Sequence, residues 1–128
     1  MLQVRTEHIG DLALIECEGR ITRSEAFELR EAVIAQDAVH VLVLDFSAVS
    51  ALEVSGVGML VSLQYWAQEH GIQFKVFNPS CYVRHRLEQA SSMHEFEIAS
   101  LPEVIGLLIQ AQYQDARLKA NTQLKSVA

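Results

Sequence analysis

Hydrophobic positions along this chain change period several times, and each change marks a new element. Ala13, Ile15 and Cys17 alternate with other side chains, which predicts a strand over Leu12–Glu18 with one face turned to a core. Leu2–Glu7 reads as a preceding strand, and the short Ile9-Gly10-Asp11 turn makes the two a hairpin. The period then becomes helical. Thr22 and Glu25 have capping-box spacing, and Ala26, Leu29 and Val33 share one stripe of a helix ending near Asp37. Val39–Leu44 is a nearly unbroken apolar run, the pattern of a strand covered on both faces, and Val39–Phe46 is read as the central strand with Asp45 where it emerges.

A second helix runs from about Ser55 to His70 and stops at Gly71, a residue suited to a left-handed terminator. Ile72–Phe77 is the next strand. Asn78 as N-cap, with Pro79 at the first helical position, opens a third helix on which Val83, Leu87 and Ala90 share a face. Phe96–Ile98 adds a short edge strand. Ser100 and Glu103 again have capping-box spacing, before a last helix whose Val104, Leu107, Leu108 and Ala111 face inward. Strands followed by alternating helix and strand imply an α/β domain with a mixed sheet of about four or five strands and parallel crossovers. Residues 1–118 are expected to form that domain and 119–128 a polar, frayed C-terminal tail.

The second helix carries more apolar surface than one sheet contact can bury. At roughly 100° per residue, Met59, Leu60, Leu63, Trp66 and Ala67 form one stripe, the expected core face. Val54, Val57, Gly58, Val61 and Tyr65 form another. Either neighbouring helices cover this second stripe, or it is a docking surface in which Gly58 permits close approach and Tyr65 is an aromatic anchor. Gly56 and Gly58, each costing a helix about 1 kcal/mol relative to alanine, point to close approach of another backbone or a partner.

Composition narrows the function. Half of the 128 residues are hydrophobic and a fifth are charged, so the chain is one globular domain. A formal net charge of -6 argues against nucleic acid as a partner, and the only basic knot, Arg84-His85-Arg86, reads as a solvated helix face. With neither a cleavable leader pattern nor an apolar stretch long enough to span a bilayer, a cytoplasmic protein without direct membrane insertion is expected. Cys17 and Cys81 fall on different elements and lack the close Cys or His neighbours of a zinc site, so neither a structural disulfide nor a metal is expected.

Catalytic constellations are not evident. His8, His40, His70, His85 and His94 are scattered without ligand spacing, and no serine sits in a nucleophile elbow. Gly56-Val57-Gly58 begins like a dinucleotide fingerprint, but Val61 stands where the third glycine belongs. Asp45 ending a central strand has the placement of a receiver-domain phosphoacceptor, without the acidic pair and the lysine that such a site needs. No cofactor is implied, and an enzyme is not expected.

Four segments in order resemble the STAS domain family of bacterial anti-sigma factor antagonists and of sulfate-transporter cytoplasmic domains. These are Gly19-Arg20-Ile21, Val41-Leu42-Val43-Leu44-Asp45, Glu53-Val54-Ser55-Gly56-Val57-Gly58, and Phe74–Pro79 followed by Val83–Glu88. The resemblance runs from about Leu2 to about Ala116. It implies helices packed mainly on one side of the sheet, and a surface loop between Asp45 and Ser55 that, with the following helix start, binds a partner.

In signalling members the first serine of Asp-Ser-Ser-Gly is phosphorylated by the partner kinase, and Val54 occupies that position here. A helix start suits a phosphate through its free N–H groups and dipole, but Val54 has no hydroxyl. Ser55 offers one next door, turned by roughly 100°, and is either a phosphoacceptor or an N-cap, the second reading being favoured. Glu53 replaces the family's Asp. It either meets a basic group of the partner or folds back in a Ser50–Glu53 capping box. The resemblance, together with the second apolar stripe of the helix, gives a partner-binding set of Asp45, Glu53, Val54, Ser55, Gly56, Val57, Gly58, Val61 and Tyr65. Its partner would be an anti-sigma factor or kinase-like ATPase, or alternatively a membrane transporter ATPase that needs no phosphate switch.

Overall fold

The computed structural model describes residues 2–90 and 96–127, with the elements β1 (Gln3–Ile9), β2 (Leu12–Ile21), α1 (Arg23–Ile34), β3 (Val41–Leu52), α2 (Val54–Glu69), β4 (Gln73–Phe77), α3 (Cys81–Ala90), β5 (Ile98–Ala99) and α4 (Leu101–Val127). The five strands lie in the order β1-β2-β3-β4-β5. β1 and β2 are antiparallel, as the hairpin turn requires, and the remaining pairs are parallel. This is the mixed α/β sheet expected from the sequence, with the short edge strand, expected at Phe96–Ile98, formed instead by Ile98–Ala99.

Alternation along the central strands divides the apolar side chains between two compartments. Ala13, Ile15, Cys17, Leu42, Leu44, Phe46, Phe74 and Val76 face α1, α2 and α3, whose Ala26, Leu29, Val33, Leu60, Leu63, Ala67, Val83 and Leu87 complete the main core. Leu12, Val43 and Ala99 point the other way, where Val104 and Ala111 of α4 cover them with Leu107 and Leu108 alongside. Three helices therefore occupy one face of the sheet and one the other. The inward stripes expected on α1 and α4 are the ones observed, while the side chain of Ala90, expected on the α3 stripe, lies outside the described residues.

Two expectations change in the middle of the chain. Asp45 does not end its strand: β3 continues to Leu52, so most of the expected loop before Ser55 is strand. The buried positions Phe46, Val49 and Leu52 are spaced by three, which hides a strand from any search for a period of two. Register shifts between Glu16 and Glu18 and between Gly19 and Arg20 absorb the irregularity, and pairing is maintained as far as Ile21 with Leu52. Asp45 accepts hydrogen bonds from the Ser47 backbone nitrogen at 2.9 Å and the Ser47 hydroxyl at 2.5 Å, stabilising the bend inside the strand.

The second change concerns α3. Asn78 is not its N-cap but adopts a left-handed backbone, φ 52°, and its amide donates to the Ser47 hydroxyl at 3.2 Å. Ser80 caps the helix instead, accepting from Val83 N–H at 3.2 Å. At α4 the expected Ser100 cap is present, Ser100 Oγ accepting from Glu103 N–H at 3.3 Å. Thr22 Oγ1 instead donates to the Glu25 carboxylate at 3.1 Å, and its side chain caps no backbone group. α4 continues past Leu118 to Val127, where a frayed tail was expected.

α4 is anchored at both ends of its buried stretch. Lys75 of β4 reaches Glu97 at 2.5 Å and Glu103 at 3.1 Å, and the Glu97 hydrogen bond leads in holding its ammonium above the ordinary lysine pKa. At the hairpin turn Gly10 has φ 57°, and a Cβ there would lie 2.5 Å from the carbonyl oxygen of Ala111. Gly10→Ala is expected to cost about 2–4 kcal/mol, combining a left-handed penalty with a backbone clash. Urea titration of the two proteins checks this.

Cys17 and Cys81 are free, the first buried in the sheet and the second exposed at the start of α3. Burial, helped by the Asp45 carboxylate, pushes the Cys17 thiol up to about 12. Because thiolate is the reactive form, a thiol reagent at pH 8 is expected to label Cys81 alone in the folded protein. Both sites should react in denaturant, and rapid native labelling of Cys17 would contradict the burial.

Candidate functional site

β3 passes directly into α2, and this junction places the tip of the helix. Glu53 is the N-cap residue; its N–H donates to the Ile21 carbonyl at 3.1 Å and its own carbonyl accepts from Val57 N–H at 3.1 Å. Its side chain makes no capping bond, and Ser50 lies in β3, so the Ser50–Glu53 capping box does not form. Ser55 is also not the N-cap. It lies inside the first turn and is exposed.

The two glycines of this turn have different surroundings. Gly56 is buried, and a Cβ on it would meet Leu52 Cδ1 at 2.9 Å, Ile21 Cγ2 at 3.0 Å and the Ile21 carbonyl at 3.3 Å. It is the close-approach glycine, but what approaches is the molecule's own β2–β3 end. Gly56 accordingly faces inward, away from any partner. Gly58 is exposed, and a Cβ on it would meet nothing within 4 Å.

The inner stripe of α2 is the expected one, with Leu60, Leu63 and Ala67 buried and Met59 and Trp66 packed against the core at its edge. On the other stripe Val54 is 72% exposed and Tyr65 43% exposed, with Val61 half-buried and Val57 buried at 4%. Neighbouring helices therefore cover only part of it. Val54, Val57, Gly58 and Val61 form one wall of an apolar groove, and Arg86 and Gln89 of α3 form the other. Glu53 borders a separate depression with Thr22, Arg23 and Ser24.

Asp45 is not part of this surface. Its neighbours Leu44 and Phe46 point toward α2, so the alternation directs Asp45 to the opposite face of the sheet, where it lines a polar cleft with Arg5, Glu16, Glu18 and Ser47. The lysine of β4 is committed to Glu97 and Glu103, and among the described residues no cluster of His, Cys, Asp or Glu could hold a metal ion. Arg86 and Gln89 were not anticipated. Arg86 precedes Leu87, a core residue, so its stem flanks the α3 core face, a signal available in the helical period but obscured by the basic Arg84-His85-Arg86 run.

The fold is similar to that of several solved proteins. The anti-sigma factor antagonist SpoIIAA in its unphosphorylated form overlays with a TM-score of 0.70 at 18% identity, covering 84% of this chain and 97% of that one. An anti-sigma factor antagonist from Mycobacterium paratuberculosis gives 0.68 at 20% identity, covering 84% and 94%. The murine anion transporter Slc26a9, solute carrier 26 family member A9, gives 0.64 at 20% identity, with 84% of this chain matching 18% of the transporter. No curated protein matches the chain in sequence. The STAS domain family model matches residues 3–103, and the chain belongs to that family.

Proposed function

We propose that this chain is a non-catalytic, cytoplasmic regulatory module that binds another protein through the tip of α2 and the groove between α2 and α3. The observation that carries this reading is Val54. An apolar side chain 72% exposed at the first turn of α2 gains nothing in the monomer, yet it is continuous with the apolar wall of the groove. Gly58 supports the same reading, because the helix bears its cost with no neighbour in the monomer that requires a glycine.

The binding set is Glu53, Val54, Ser55, Val57, Gly58, Val61 and Tyr65. Similarity to anti-sigma factor antagonists favours an anti-sigma factor or related kinase-like ATPase as the partner. With valine at position 54 the hydroxyl of the family's phosphoacceptor position is absent, which favours constitutive association, and the exposed Ser55 hydroxyl is the one alternative acceptor in this turn. A transporter ATPase is the second reading, favoured by the same missing hydroxyl and by the similarity to a transporter's domain. Neither reading involves nucleic acid or insertion into a bilayer, and among the described residues no helix is long and apolar enough to cross one.

Val54→Asp puts a carboxylate in the centre of the tip, and is expected to weaken partner capture at least tenfold while leaving the melting temperature nearly unchanged. Affinity purification from the native cell with both baits, followed by quantitative mass spectrometry, makes the comparison. An ATPase recovered equally with both would overturn the proposed surface.

The two glycines separate packing from docking. Gly58→Ala is expected to raise stability by about 0.5–1 kcal/mol, since its Cβ enters open space, and to weaken partner binding. Gly56→Ala is expected to lower stability by about 1–3 kcal/mol, because its Cβ meets Leu52 and Ile21. Chemical denaturation together with the binding assay distinguishes the two effects.

A further inference from the structure

Arg86 stands out against its surroundings. It lines the groove opposite Val54, Val57 and Val61, so a basic side chain borders an apolar wall. Two of its nitrogens, Nε at 3.2 Å and Nη2 at 3.0 Å, donate to the Tyr82 hydroxyl one helical turn earlier, and its guanidinium carbon lies 5.4 Å from the Tyr82 ring centroid. Among the described residues no carboxylate lies within ion-pair distance of it. Arg84, on the same helix, is paired with Glu88 at 3.1 Å and supplies no free charge to the groove.

A guanidinium has five N–H donors, and a neutral phenol oxygen engages only part of that capacity. Tyr82 restricts the rotamers of the side chain, so less freedom is lost when an acceptor arrives. Formation of a contact along the apolar wall also removes water from the vicinity, and in that setting an Arg–carboxylate pair contributes more than a fully exposed one. The whole chain is acidic, with formal net charge -6, so the cation in the groove is a local exception that selects for charge.

We propose that Arg86 is a specificity residue of the groove, and that the occupant is a protein segment presenting an apolar side chain to Val54, Val57 and Val61 with an Asp or Glu beside it to meet the guanidinium. This rests on the groove being the docking surface, and adds the chemistry of what docks there. Tyr82 is the positioning residue for Arg86. Gln89, at the same wall, supplies a neutral polar rim that adds no competing charge.

The test uses a phage-displayed library of random 16-residue peptides selected on the full chain, with the enriched peptides titrated against wild type, R86E, R86K and V54D. Enriched peptides should carry an Asp or Glu close to a large apolar residue and bind R86E at least tenfold more weakly. R86K, which keeps the charge but not the fork, should be intermediate, and the preference for R86 over R86E should shrink at high salt. Selection on R86E itself should replace the acidic position with Lys or Arg. Peptides that lose affinity for V54D yet bind wild type and R86E alike would overturn the role of Arg86 and leave the docking surface standing. Enrichment of nothing, or of peptides indifferent to both substitutions, would overturn the two together.

Discussion

The parallel pairing of β2 with β3 is the constraint from which the rest of the molecule follows. It extends from Leu12 with Val41 to Ile21 with Leu52, tolerating two register shifts, and brings both strands to a common end. There Glu53 N–H is held by the Ile21 carbonyl, and the following helix can start only if its first turn lies on Ile21 and Leu52. Gly56 is the residue that allows such proximity. The position of Val54 is therefore fixed by backbone pairing several residues upstream, and its exposure is a property of the architecture.

Much of this organisation could be read along the chain because local and tertiary preferences agree. The α1 stripe of Ala26, Leu29 and Val33, the hairpin at Gly10, the Ser100 cap and the α2 core face all emerged from periodicity and turn chemistry. The second half of β3 did not, since a strand distorted by irregular pairing presents buried residues at intervals of three, and its Ser and Ala content resembles a loop. Asn78-Pro79 misleads for a related reason: Asn is at ease both at a helix cap and in a left-handed turn, and here it takes the turn, bonded to the Ser47 hydroxyl, while Ser80 takes the cap.

The candidate surface was legible in part. The helical period separates the inner from the outer stripe of α2, but Asp45, expected where its strand ends in a loop, lies inside a strand that continues to Leu52 and lines a cleft apart from the groove. Gly56 and Gly58 looked equivalent in sequence and are opposite in structure, one filled by its own fold and the other open. The second wall of the groove comes from α3, and no local pattern reveals that two helices separated by a strand will share a cleft. Arg86 illustrates the general difficulty: charge in a run of basic residues reads as solvation until a packed neighbour shows which member is directed elsewhere.

The division of the apolar side chains by the sheet has a further mechanical meaning. The compartment under α4 is small, closed by Val104 and Ala111 over Leu12, Val43 and Ala99, whereas α1, α2 and α3 share the larger one. Partial detachment of α4 would break its anchors at Lys75 and Gly10 and open the smaller compartment, but would leave the three-helix layer intact. The molecule thus has a larger, three-helix side that carries the α2–α3 groove and a smaller compartment behind it, so that sequence drift or loosening on the latter need not disturb the groove on the former.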